Sequence, residues 1–265
     1  MKNSNSFLRL CAAALALLVA SFATPADAAT RAGAIEGKAV VVKVVGNASY
    51  VDSKGGDGAI REGMTLRQGT SIITGSGASV TLDLGQNGDL LTVNENSTAS
   101  LDTLLLQDTG AEKAANTEVD AKRGSVSFNV KKLSAASKYE IKTANGVAGI
   151  RGSRGVVYAV GIYQCVDGTM LVRVRNLSTG AVQTFTVTRA TSLDASRGAA
   201  AVPQLTPIPQ ATFDALEKKL VLDTKVVVPS PTRPTSPTTA TGTDGRNDLN
   251  RQIGNLINRL SPTTP

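Results

Sequence analysis

Histidine is absent from this chain of 265 residues, and so is tryptophan; four tyrosines and five phenylalanines make up the whole aromatic complement. Without imidazole there is no Ser-His-Asp or Cys-His catalysis and no histidine-ligated metal centre. Scarce aromatics remove the stacking platforms on which glycan and single-stranded nucleic acid are usually held. Two cysteines occur. Cys11 stands early in an apolar run, directly after Arg9-Leu10, unlike a lipoprotein cysteine. Cys165 lies in a strand-like run and reads as a buried, inert thiol, with an intermolecular bridge as the alternative. With Cys11 in an N-terminal segment expected to be cleaved off, Cys165 alone makes no internal disulfide, so stability must come from packing. No apolar run reaches the ~20 residues that a bilayer-spanning helix needs.

What the N-terminus does have is the layout of an export signal. Lys2 and Arg9 form a positive start, residues 10–23 are apolar or small, and Ala26-Asp27-Ala28 is a small-x-small cleavage pattern. Residues 1–28 are expected to be a signal peptide, cut after Ala28, with an uncleaved anchor as the alternative. The net charge is +7. Such a balance favours acidic envelope polymers or lipid headgroups, but the basic residues are spread along the chain in the manner of a solvated surface. Nucleic acid is not expected as a partner.

From about residue 35 to 190 the chain alternates apolar and polar residues. Val80-Thr81-Leu82-Asp83-Leu84 is one such run; others are Leu91-Thr92-Val93, Val126-Ser127-Phe128-Asn129-Val130, Tyr139-Glu140-Ile141, Val172-Arg173-Val174 and Phe185-Thr186-Val187. Period two means one buried face. Turn residues separate the runs: Gly75-Ser76-Gly77, Gln86-Asn87-Gly88-Asp89, Asp167-Gly168 and Thr179-Gly180. Residues 40–45 are nearly continuously apolar and predict a central strand. No helical period interrupts the set. The expected fold is all-β: a compact body of short twisted strands, solenoid- or sandwich-like, with short C-terminal helices and a disordered linker.

Residues 107–123 are polar and predict a long surface loop. Beyond 190 a linker leads to TFDALEKKLVL, where Phe213, Leu216 and Leu220 share a helical face, with Thr212 as cap and Pro209 upstream. Residues 229–246 form a Pro/Thr-rich linker that cannot bury a core. In residues 247–265, Leu249, Ile253, Leu256, Ile257 and Leu260 form one apolar stripe at helical spacing. That short helix either docks back or frays, or binds a partner groove or membrane surface.

Residues 146–155 place four glycines three apart (Gly146, Gly149, Gly152, Gly155), with Arg151 and Arg154 between them. There is no Lys-Ser/Thr ending and no following helix, so this is not a P-loop. The run is too short and proline-free for collagen. The glycines therefore serve turning or close backbone approach between strands. Arg151 is the better candidate for a partly buried ion pair. Asp52-Ser53-Lys54-Gly55-Gly56-Asp57-Gly58 lacks the ligand alternation and terminal Glu of a calcium loop and reads as a hairpin turn. Asp102, Asp108, Glu112, Glu118 and Asp120 offer carboxylates of the kind paired in glycoside hydrolysis, but without an aromatic subsite.

Gly63-Met64-Thr65-Leu66-Arg67-Gln68-Gly69-Thr70-Ser71-Ile72-Ile73-Thr74-Gly75 and the residues to Val80 resemble the first signature of the FecR family. Gly124-Ser125-Val126 is similar to its later Gly-x-Val element. Thr143, followed by Val147-Ala148-Gly149-Ile150-Arg151-Gly152-Ser153, resembles its terminal signature, with Ala144 in place of the usual proline and Ser153 in place of threonine. The resemblance spans roughly residues 35–160. It implies an exported β-domain, placed here over residues 29–190; the linker and short docking helix read from the residues then occupy 191–228. It makes Gly69, Thr74, Thr143, Gly149, Arg151, Gly152 and Ser153 structural motif residues. In the founding members this domain relays the ligand status of an outer-membrane iron-chelate transporter to a sigma factor. The expected function is a non-enzymatic exported module of the bacterial cell envelope, in the periplasm or at the cell surface. It would bind or scaffold another envelope protein or a surface polymer, with no cofactor; the alternative is a signal relay linked to iron-chelate transport.

Overall fold

Strand formation here follows side-chain alternation, and the computed structural model shows the result for residues 33–108, 112–176, 179–196 and 203–224. In chain order the strands are β1 (Ala34–Glu36), β2 (Ala39–Val45), β3 (Ala48–Val51), β4 (Asp57–Ala59), β5 (Thr65–Leu66), β6 (Ser71–Thr74), β7 (Ser79–Asp83), β8 (Leu90–Val93), β9 (Thr98–Asp108) and β10 (Lys113–Arg123). There follow β11 (Ser125–Val130), β12 (Lys138–Thr143), β13 (Gly146–Ile150), β14 (Ser153–Tyr158), β15 (Ile162–Asp167), β16 (Thr169–Arg175), β17 (Val182–Thr188), β18 (Thr191–Asp194) and β19 (Gln204–Pro207). One helix, α1 (Gln210–Thr224), closes the described chain.

The strands form two sheets. The first runs β17-β16-β13-β12-β10-β9-β6-β3-β4, with β1 also pairing with β9; the second runs β19-β18-β15-β14-β11-β8-β7-β2-β5. From β6 onward the chain lays a strand or hairpin on one sheet, crosses over, and lays the next on the other. Every pairing is antiparallel except β10 with β12, where Thr117 faces Tyr139 and Val119 faces Ile141 in parallel register. That parallel step is where the chain leaves the first sheet for β11 and returns.

Both sheets turn apolar side chains into one core. Ile72, Leu101, Val119, Ile141, Ala148 and Val172 come from the first, and Val80, Leu91, Val126, Val157, Tyr163 and Leu193 from the second. The fold is thus all-β and two-layered, as the alternation predicts. The turn Gly85–Asn87 is pinned to the long β9–β10 hairpin from within. Asn87 Nδ2 donates to the Leu105 carbonyl at 2.9 Å, and Thr117 Oγ1 donates to the Asn87 carbonyl at 2.5 Å. Residues 52–58 are the hairpin turn expected: Asp52 Oδ1 accepts the Lys54 and Gly56 N–H groups at 2.8 Å each.

Four expectations change. Residues 107–123 are not a surface loop; they hold the end of β9 and all of β10. The inward row of β10 is Ala115, Thr117, Val119 and Ala121, buried but small or hydroxylated. The strand therefore carries period two with too little hydropathy to stand out. Residues 40–45 lie in β2, which is second from the edge rather than central, because the two-residue β5 is all that flanks it. The second sheet continues past residue 190 through β18 and β19, into the segment expected as linker. Finally, α1 begins at Gln210, immediately after Pro209, so Thr212 lies within its first turn.

Phe213 and Leu220 of α1 are buried with Val166 and Ile208, Leu216 packs beside them, and the Arg189 guanidinium lies 5.6 Å from the Phe213 ring centre. No described helix is long and apolar enough to cross a membrane. The Leu249, Ile253, Leu256, Ile257 and Leu260 stripe, like residues 1–28 and 229–246, lies outside the described residues.

Candidate functional site

The residues of the two signatures do not converge on a cleft; they build corners. Thr74 ends β6 and is buried. Its Oγ1 donates to the Asn94 carbonyl at 2.5 Å and accepts the Ser97 N–H at 3.0 Å, tying the exit of the first sheet to the β8–β9 turn. Gly69, at φ +79°, donates its N–H to the Leu101 carbonyl at 2.6 Å. Thr143 ends β12 in the same way. Its Oγ1 accepts the Gly146 N–H at 3.2 Å and shares a 2.7 Å hydrogen bond with the Tyr163 hydroxyl on the other sheet. The strands that carry Thr74 and Thr143, β6 and β12, are separated by β9 and β10, so the structure keeps the two signatures apart.

Arg151 and Gly152 form the corner between β13 of the first sheet and β14 of the second. Gly152 adopts φ +107° against the backbone of Lys132. Ser153 is buried and sits against Gly168, the corner by which β15 returns to the first sheet. The two corners stack on each other, which requires small residues at both. Arg151 is exposed and donates to the Ala135 carbonyl at 3.0 Å. The expected ion pair belongs instead to Arg154, whose guanidinium meets Asp167 at 3.4 Å across the β14–β15 pair. One residue per side decides this: Arg154 faces the neighbouring strand, Arg151 lies outside it. Cys165 is fully buried, and burial, then the nearby Asp167 carboxylate, push its thiol up to about 11. At neutral pH it holds its proton, as an inert core thiol does.

Charge gathers on the outer face of the first sheet. Asp102 of β9 accepts the Ser100 hydroxyl at 2.6 Å. Beside it on β10 stand Glu118 and Asp120, and burial followed by the Asp102 charge raises the Asp120 pKa. On β12, Lys142 binds Glu118, and that hydrogen bond raises the lysine pKa. Glu140, buried, is held between Lys138 at 3.0 Å and Arg173 of β16 at 2.6 Å. Gly149 lies directly between Glu140 and Leu171 in the register, leaving the face flat where the Arg173–Glu140 bond crosses it. Arg175 continues the row. The face is therefore acidic toward β9, internally paired at β12 and basic toward β16. A groove of about 740 Å³ opens at its acidic end, lined by Gln68, Asp102, Leu105, Asn116, Glu118 and Lys138.

Such a face presents fixed, opposed charges and amide groups to a second surface. Asp102, Glu118 and Asp120 were among the carboxylates read from the chain, but Glu140 and Arg173 were not, since nothing local marks a glutamate within a Tyr-Glu-Ile alternation as a bridged one. The signal available was the charge at successive outward positions of β12 and β16, which becomes readable only once β13 is known to separate them.

The architecture defines a class: two-layer β proteins wound strand and hairpin by hairpin between their sheets. The family model for FecR protein matches residues 70–175, and the chain carries a FecR domain there. The match runs from the entry of β6 to the end of β16. It includes Thr74, Thr143, Gly149, Arg151, Gly152 and Ser153, and leaves Gly69 one residue outside. No curated protein matches the chain significantly. Two crystal structures of a proposed anti-sigma factor from Parabacteroides distasonis overlap with it in part. One gives a TM-score of 0.41 at 12% identity, over 55% of this chain and 62% of the other; the second gives 0.40 at 13%, over 55% and 63%. The chain spans about three-fifths of their length.

Proposed function

We propose that this chain is a signal-relay module of a bacterial cell envelope, acting by protein–protein contact and without enzymatic chemistry. The observation that carries the reading is the FecR match, whose residues include every strand of the charged outer face. Opposed charges held by ion pairs favour orientation and selection of a partner more than raw affinity. The absence of histidine from the sequence fits a role without acid–base catalysis. Export is part of the same reading and rests on Lys2, Arg9, the apolar run and Ala26-Asp27-Ala28. The structural motif residues Gly69, Thr74, Thr143, Gly149, Arg151, Gly152 and Ser153 act through the framework, and Leu249, Ile253, Leu256, Ile257 and Leu260 offer a second contact.

In-cell crosslinking of the tagged chain, followed by mass spectrometry, is expected to recover a defined envelope protein. Deletion is expected to change transcripts of transporter genes under iron limitation. A defined partner with unchanged transcripts would leave a scaffolding module, and neither would remove both readings. N-terminal sequencing of the chain from cells is expected to begin at Ala29.

A further inference from the structure

Among the described residues five strands have a neighbour on one side only, and four of them are poor templates for another chain. β1 has three residues and ends in Glu36, β4 has three and carries Asp57, β5 has two, and β19 has four and ends in Pro207. The fifth, β17, is seven residues long, reads VQTFTVT, and contains no charge and no proline. It pairs with β16 in unbroken register from Thr169–Thr188 to Arg175–Val182, without a bulge. Shortness, charge, proline and bulges are the devices by which proteins block edge-to-edge pairing, and β17 has none of them. Val182, its first residue, is 61% exposed and Leu171 on the neighbouring β16 52%.

We propose that β17 is an interface between two copies of this chain, joined by antiparallel pairing of β17 with β17 of a second copy. This inference is independent of the relay reading. The strand is complementary to itself. Centred on Phe185, the pairing sets Thr184 against Thr186, Gln183 against Val187, and Phe185 against its own equivalent; it ends there, because the Thr188 N–H and carbonyl are already bonded to Thr191 Oγ1 at 2.9 and 2.6 Å. Residue-centred pairing keeps inward side chains inward, whereas a one-residue slip would turn them out. The outward row is then entirely β-branched, and Thr–Thr neighbours across strands are favourable. Inward, the two Phe185 rings meet; each packs only partly buried against the core at the end of the sandwich, and the pairing covers that end. The nearest charges are Arg189, which follows β17 directly and lies at opposite ends of the pairing in the two copies, and Arg173 and Arg175 on β16. Three strand spacings, about 14 Å, separate each of the β16 arginines from its equivalent in the second copy, more than the Debye length of about 8 Å at physiological salt. Like charge therefore does not oppose the contact, and a closed two-fold dimer consumes both edges.

The full chain is tested by light scattering coupled to size exclusion over a concentration series, with three variants. The unaltered protein is expected at twice its monomer mass. Thr184→Lys with Thr186→Lys places lysine against lysine at both exposed pairs and is expected to halve the mass. Thr184→Glu with Thr186→Lys places opposite charges there and is expected to keep the dimer. Should the lysine variant fail to fold, Thr184→Cys with Thr186→Cys in a Cys11→Ser background decides: oxidation is expected to give a covalent dimer, and the buried Cys165 does not compete. The proposal is overturned by a monomer at every concentration, by a dimer indifferent to the lysine pair, by identical behaviour of the two charged variants, or by a double-cysteine chain that does not crosslink. A monomer that instead takes up an extended peptide along β17 would assign the edge to a different protein.

Discussion

Gly149 and Gly155 stand six residues apart in the same glycine-rich run and have unlike work. A methyl group on Gly155 would run into the Gln164 carbonyl and come within 2.9 Å of the Phe128 ring; one on Gly149 would meet only the Leu171 carbonyl, at 3.5 Å. Gly155→Ala is expected to destabilise by about 1–3 kcal/mol through overpacking. Gly149→Ala is expected to be neutral or stabilising by about 0.5 kcal/mol, since its strand conformation suits alanine. Urea melts of the pair measure the contrast. Thr74 offers a second test at this scale. Valine keeps its shape but strands the Ser97 N–H and the Asn94 carbonyl in a buried corner, and Thr74→Val should cost about 1–3 kcal/mol. Thr74→Ser keeps the hydroxyl and should recover most of that loss in the same melts.

The outer side of the first sheet is best judged as an assembly of β9, β10 and β12. The carboxyl of Asp120 is raised by burial first, then by Asp102, with a smaller push from Glu118; Lys122 and Lys142 pull the other way without cancelling them. The folded chain therefore holds this proton more tightly than the unfolded one. Ionised Asp120 costs stability above its raised pKa, and the cost vanishes as pH falls below the ordinary value of 3.8. Asp120→Asn is thus expected to raise the thermal midpoint at pH 7, with the gap from the parent closing at about pH 3. A gap that persists in acid would assign the effect to hydrogen bonding rather than charge. At this scale the chain was readable wherever alternation was strongly apolar, as in β7, β11 and β16. It was not readable in β10, whose inward Ala, Thr, Val, Ala row has the right period and little hydropathy. The ion pair assigned to Arg151 belongs to Arg154 for a related reason: the run shows two arginines, but only the crossing at Gly152 shows which of them faces a neighbouring strand.

For the whole molecule, the question is where the folding unit ends. β18 contributes Leu193 to the main core, and beyond it Ile208, Phe213 and Leu220 are buried with Val166 on the second sheet. Burial of each such side chain contributes about 1.5–3 kcal/mol, and together they rival the 5–15 kcal/mol stability typical of a domain. A chain ending at residue 190 is accordingly expected to lose its cooperative melt and to bind a hydrophobic dye; an unchanged midpoint would mean that these strands are dispensable. The all-β class, the turn positions and the docking face of α1 could be read along the chain, because each depends on neighbours within a few residues. The order of strands in each sheet could not.

Alternation and turn chemistry are short-range properties, so the amino acids alone dictate extended segments, their buried sides and the corners at Gly152 and Gly168. The parallel seam of β10 with β12, the bridging of Glu140 by Arg173 across Gly149, and the exposure of an uncharged β17 at an edge are long-range outcomes. They arise because hairpins must alternate between two sheets to fill one core. That layering brings together residues which nothing in their immediate sequence connects.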